Sequence, residues 1–123
     1  MMGWPRWQPG RQGGGYRKMR LVQGRWWDCY LIDYPVGSRV SRHRDCVPGR
    51  SHWRLNIVVL GQCDVTVYHP YEPGRDGIFY ASPDPPRRWL GGRVVLFRPD
   101  VNVHEVRPVE RRRVVLSFGW ARR

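Results

Sequence analysis

Trp26-Trp27-Asp28-Cys29-Tyr30-Leu31-Ile32-Asp33-Tyr34-Pro35-Val36-Gly37 is the stretch that decides the fold class. A run of aromatic and aliphatic residues is cut off by Pro and Gly before a helical period can build, which is how a short strand and its turn read. The same punctuation recurs along the chain. Strands are expected over residues 26–34, 39–45, 52–60, 63–69, 77–81, 93–97, 103–106 and 112–120. Turn chemistry separates them at Tyr34-Pro35-Val36-Gly37, Val47-Pro48-Gly49, residues 71–77, residues 82–86 and Arg98-Pro99-Asp100. No amphipathic helical stretch exceeds two turns and no internal repeat is visible, so the expectation is all-β. Eight short strands in about 95 residues suit a jelly roll, a small Greek-key sandwich or an up-and-down barrel, and spacing alone does not choose among them.

Outward from that stretch, the bounds are simple. At 123 residues and 14.6 kDa the chain is expected to form one domain over residues 21–123, large enough for a packed core. Residues 1–20 carry five positive charges, no acid and a cluster of glycines, and read as a basic arm. Its Trp4, Trp7 and Tyr16 either stack on bases or pin the arm to the domain. No run approaches a membrane span or a signal peptide, so no membrane partner and a cytoplasmic location are expected. Cys29, Cys46 and Cys63 form no C-x-x-C pair, which points to free thiols. Against 10 acidic residues stand 22 basic ones, a net charge of +12 that attracts polyanions. All but Lys18 of those cations are Arg, however, a bias that a GC-rich genome also produces.

Chemistry concentrates in two places. His43-Arg44-Asp45 sets an imidazole and a carboxylate two residues apart, hence on one face of a strand. With His104 as a distant third ligand, two His and one carboxylate would leave open positions on a metal, as suits a non-haem Fe(II) oxygenase. Taken alone, an H-x-D triplet is more often a surface ion pair. In Arg113-Val114-Val115-Leu116-Ser117-Phe118, alternation puts Arg113, Val115 and Ser117 on one face. A buried guanidinium there needs an anion such as a ligand carboxylate, unless Arg113 belongs to a solvated Arg111–Arg113 run or pairs with an internal Asp. His52 and His69 read as surface or turn residues, and the Trp residues from Trp26 onward as core and rim aromatics. Cys46 and Glu105 face away from the expected metal by parity.

These blocks, in this order, resemble the prolyl-hydroxylase-like branch of the 2-oxoglutarate and Fe(II)-dependent oxygenases. The resemblance covers residues 30–120. It rests on Tyr30–Gly37 leading into His43-Arg44-Asp45, on Leu55–Leu60, on Arg93–Pro99 followed by His104–Val109, and on Arg113 nine residues past His104. It implies a double-stranded β-helix, a cupin-like jelly roll, in which His43, Asp45 and His104 hold Fe(II). Arg113 would clamp the far carboxylate of the 2-oxoglutarate cosubstrate, with Tyr34 and Ser117 adding hydrogen bonds, and O2 would be consumed. The chain departs from the family in having almost no room for buttressing helices, which implies a shallow substrate site or one completed by another subunit. Val58 or Val59 also stands where some relatives have a pocket tyrosine.

Three functions are therefore carried forward. The first is hydroxylation of a protein or peptide side chain, with proline foremost. The second is oxidation of a nucleic-acid base, flipped or single-stranded, by the same chemistry. The third is a non-enzymatic basic β-domain that binds nucleic acid.

Overall fold

The computed structural model describes residues 6–10, 13–45, 47–63, 65–69, 71–73, 79–81 and 85–123. Trp4, Cys46 and parts of the expected turns at residues 71–77 and 82–86 lie outside that set. Among the described residues twelve strands follow one another: β1 (Trp7–Pro9), β2 (Arg17–Gln23), β3 (Trp27–Tyr34), β4 (Val40–His43), β5 (Ser51–Leu60), β6 (Thr66–Tyr68), β7 (Tyr71–Pro73), β8 (Phe79–Ala81), β9 (Arg87–Trp89), β10 (Val94–Phe97), β11 (His104–Val106) and β12 (Arg113–Arg122). Seven form a large sheet in the order β1-β2-β3-β12-β5-β10-β9, three a small sheet in the order β4-β11-β6, and β7 pairs with β8. The pairings are antiparallel, and the all-β expectation holds.

Turns carry the chain between the sheets. After β3, Gly37 takes a φ of 85° that favours glycine, while the Ser38 amide and hydroxyl both donate to the Pro35 carbonyl at 3.0 and 2.6 Å. After β10, the Val101 and Asn102 amides donate to the Arg98 carbonyl, and the Asn102 side-chain oxygen accepts from the Arg98 amide at 3.0 Å. Between the sheets lies a core of Tyr16, Tyr34, Val40, Val58, Val65, Val106, Val109 and Val115. β-Branched and aromatic side chains suit this pleated, two-layer packing.

Two expectations are corrected here. Part of the expected arm is sheet: β1 pairs with β2, and β2 pairs with β3. Tyr16 is buried and stacks on Tyr34 at 5.4 Å, while Arg17 reaches Asp33 at 2.9 Å. One aromatic anchor and one ion pair outweigh the glycine-rich composition. Secondly, the tryptophans do not fill the core. Trp26, Trp27 and Trp89 are 40, 43 and 47% exposed, because strand alternation puts Trp27 and Trp89 on the outer face of the large sheet. Among the described residues no helix is long and apolar enough to cross a membrane.

Candidate metal centre

His43 ends β4 and His104 begins β11, and the ladder pairs them directly, so their rings meet with centroids 4.3 Å apart. Asp45 lies two residues beyond His43, its amide donating to the Pro99 carbonyl at 2.7 Å and so tying it to the turn that precedes His104. One ligand atom from each of His43, Asp45 and His104 falls within 4.8 Å of the others, a group able to hold a metal ion.

Both imidazoles are oriented alike. His43 Nδ1 lies 2.6 Å from the Ser41 carbonyl, and His104 Nδ1 lies 2.8 Å from the Asn102 carbonyl, each two residues upstream. A carbonyl oxygen only accepts, so Nδ1 is the protonated nitrogen and Nε2 keeps the lone pair that a metal needs. Consistently, it is His43 Nε2 that faces Asp45 Oδ2, at 3.4 Å. Phe97 packs edge-on against His104 at 5.1 Å and limits its rotation. The donor set fits a divalent transition metal with nitrogen and carboxylate preference, and three protein ligands leave room for exogenous ones.

These three residues line a cavity of about 280 Å³, with Tyr34, Arg54, Asn56 and Ser117 on its large-sheet wall. Behind it lies a smaller cavity of about 50 Å³, lined by Arg113, Arg88, Tyr68 and Cys63 among others. Asn56 and Thr66 line both, so the two adjoin. Arg113 is 3% exposed, which sets it apart from the exposed Arg111 and Arg112 and rules out the solvated-run reading. Its Nε donates to the Gln62 carbonyl at 3.0 Å, its Nη2 to the Thr66 hydroxyl at 3.2 Å, and its guanidinium lies over the Tyr34 ring at 5.0 Å. Among the described residues no carboxylate pairs with it; Asp33 is taken by Arg17 and Arg112. Burial pushes the Tyr34 hydroxyl up to about 12, against the opposing pull of Arg113, so it is a neutral phenol at physiological pH. Burial likewise raises Tyr68.

Each residue singled out from the sequence can now be located. His43, Asp45 and His104 come together. Ser117 shares their cavity but is fully buried, donating to Asn56 Oδ1 at 2.5 Å and accepting from Arg54 Nη1 at 2.8 Å. Tyr34 lines the same cavity, whereas Arg113 lines the adjoining one. Glu105 does face away, towards His69 at 3.4 Å and Arg42 at 3.9 Å. His52 is a correction: it lines the metal cavity, and its Nδ1 lies 3.1 Å from the Asp45 carbonyl. Arg54 and Asn56 also line the cavity, and the motifs do not reveal them. Alternation from Val58, on the same strand, is the signal that finds them.

The chain superposes on solved structures over nearly its whole length. A prolyl-4-hydroxylase from Pseudomonas putida aligns with a TM-score of 0.59 and 19% identity, covering 95% of this chain and 77% of that one. KdgF from a Halomonas species gives 0.58 and 16%, covering 96% and 87%. An RmlC-like cupin from Shewanella frigidimarina gives 0.55 and 16%, covering 97% and 85%. The fold is a cupin-type double-stranded β-helix. No family model matches the chain, nor does any curated protein. At such identities the likeness speaks for the cupin fold and not for one branch of it, so the reaction has to be argued from the residues inside the barrel.

Proposed function

We propose that this cupin barrel is an Fe(II)- and 2-oxoglutarate-dependent oxygenase that hydroxylates a C–H bond in a protein or peptide side chain, with proline the first candidate. The observation that carries the reading is the pairing of a His-Asp-His group with an adjoining buried guanidinium that has only neutral partners among the described residues. Leaving such a charge without a counter-charge is costly, and a dicarboxylate spanning the two cavities would relieve it. When bound, Fe(II) supplies the oxygen activation, coupled to decarboxylation of 2-oxoglutarate to succinate and carbon dioxide. The chain's own residues do the rest. His43, Asp45 and His104 hold the metal, with the carbonyls of Ser41 and Asn102 fixing the two imidazoles. Arg113 takes the far carboxylate through its fork, Thr66 and Tyr34 fix that fork, and Asn56 and Ser117 wall the space between.

The test is anaerobic addition of Fe(II), then 2-oxoglutarate, to metal-free protein. A visible charge-transfer band is expected, lost in His104→Ala and requiring at least about tenfold more 2-oxoglutarate in Arg113→Ala. No band in folded protein would sink the oxygenase reading. The net charge of +12 favours one second reading, a nucleic-acid base as the substrate. Turnover that falls steeply with salt would select it over a peptide.

A further inference from the structure

β9 reads Arg87-Arg88-Trp89, and strand parity separates the three. Arg88 pairs with Val95, Val95 with Asn56 and Asn56 with Ser117, so these four share a row on the inner face of the large sheet, while Trp89 lies outside. The row carries Arg88 to the wall of the small rear cavity that Arg113 also lines. Its guanidinium lies over the Tyr68 ring, 5.2 Å from the centroid. Burial raises the Tyr68 hydroxyl, and the charges of Arg113 and Arg88 both pull the other way, as expected for two cations gathered about one phenol.

Two guanidiniums thus border one small space whose walls hold no acid, and neither has a carboxylate partner among the described residues. A third, Arg93, adds to the positive field by donating to the carbonyl of the wall residue Val58 at 3.1 Å. The other polar wall groups are left to donate. The Asn56 oxygen already accepts from Ser117, the Thr66 oxygen already accepts from Arg113, and Tyr68 is a neutral phenol. The cavity measures about 50 Å³ and a water-sized atom needs roughly 10–15 Å³ of such space, so it holds about four, the number of oxygens in a tetrahedral oxyanion. Charge count narrows the ligand further. A single carboxylate answers one guanidinium and leaves the other, whereas a dianion answers both, and the planar fork of Arg matches its oxygens in pairs. Arg88 is the exposed residue on a wall otherwise buried or half-buried, which makes the edge strand β9 the way in.

We propose that the rear cavity is a binding site for a tetrahedral dianion, inorganic phosphate foremost, held between Arg88 and Arg113. The site is complete without metal and does not rest on the oxygenase reading. Where that reading holds as well, phosphate occupies the place of the cosubstrate's far carboxylate and competes with it.

Titration calorimetry of the metal-free full chain with phosphate, in mildly alkaline buffer and at constant ionic strength, tests the site. One saturable phosphate is expected, with acetate, a single carboxylate, at least about tenfold weaker. Arg88→Met is expected to weaken phosphate at least about tenfold and to leave acetate much less affected. Arg111→Met, on the exposed approach to β12, is expected to change neither, which separates the cavity from the basic surface. Circular dichroism checks that each variant is folded, and if Arg88→Met is not, Arg88→Gln decides. No saturable phosphate binding overturns the proposal, as does acetate binding as tightly as phosphate, or phosphate affinity unchanged when Arg88 is replaced. If Fe(II) and 2-oxoglutarate give their band, phosphate is expected to raise the 2-oxoglutarate it needs while chloride at equal ionic strength does not; a requirement that phosphate leaves unchanged overturns the placement at Arg113. If there is no band, the oxygenase reading fails and the calorimetry still decides this one.

Discussion

Arg113 is a buried cation and, among the described residues, without a carboxylate, held by a carbonyl, a hydroxyl and an aromatic ring. Such a group costs the ligand-free fold stability, a cost that the proposed dicarboxylate would offset. Arg113→Met keeps the volume and removes the charge, so ligand-free protein is expected to melt no lower than the parent, with a gain of up to about 1 kcal/mol. The same variant should lose 2-oxoglutarate affinity; calorimetric melting and the anaerobic titration read the two effects separately. Asp33 is the opposite case. Its burial alone would raise its pKa, but the bonds and charges of Arg112 and Arg17 outweigh that and hold it below its ordinary value of 3.8. A lowered folded-state pKa stabilises the fold above the unfolded value and ceases to do so as pH falls through the folded one. Asp33→Asn is therefore expected to cost about 1 kcal/mol at neutral pH, discounted because both guanidiniums are half in solvent, and nothing once the parent's Asp33 is protonated. Urea unfolding at neutral and strongly acidic pH measures that convergence. At this scale the sequence is most legible where parity governs. His43 and Asp45 share a side, Glu105 does not, and Arg113 shares one with Ser117. The alternation from Val58 that finds Asn56 and Arg54 reaches His52 as well, two residues further along the same strand.

Strand alternation also explains which elements can be read and which cannot. β3, β5 and β10 are apolar runs closed by Pro or Gly, and for these and β12 the expected and observed limits differ by no more than two residues. β2 and β9 carry Arg and Gln on exposed positions, and their composition resembles a loop because only neighbouring strands supply their hydrogen-bond partners. Size alone points the tryptophans to the core; a strand distributes residues by parity, and parity puts Trp27 and Trp120 outside. The turn leaving β5 rests on Gly61, with a φ of 92° and no space for a side chain, since a Cβ there would run into the Arg112 carbonyl on the approach to β12. Because that obstacle is backbone, Gly61→Ala is expected to destabilise the protein by about 2 kcal/mol, whereas Gly37→Ala, with open space around it, loses only what its positive φ costs, about 1 kcal/mol. Paired denaturant melts of the two variants check the order.

For the molecule as a whole, the +12 charge makes long-range contacts with polyanions depend on salt. Retention on a polyanion such as heparin is expected to fall away between about 50 and 200 mM salt, while the band from Fe(II) and 2-oxoglutarate, held by short contacts inside the barrel, persists. A band that disappeared over the same range would place the keto acid on surface arginines and not at Arg113. The all-β class is legible from the count of turns, but the choice among jelly roll, sandwich and barrel needs long-range pairings such as that of His43 with His104 across β4 and β11, which no local pattern contains. That pairing order also has a consequence for how the protein is made. β12, synthesised well after both of its neighbours, lies between β3 and β5 in the middle of the large sheet. On the ribosome those two strands must wait with their inner edges unpaired until residues 113–122 emerge, several seconds at ordinary translation rates. A cell with scarce chaperones would lose this protein to aggregation in that interval, before its fold had been tested at all.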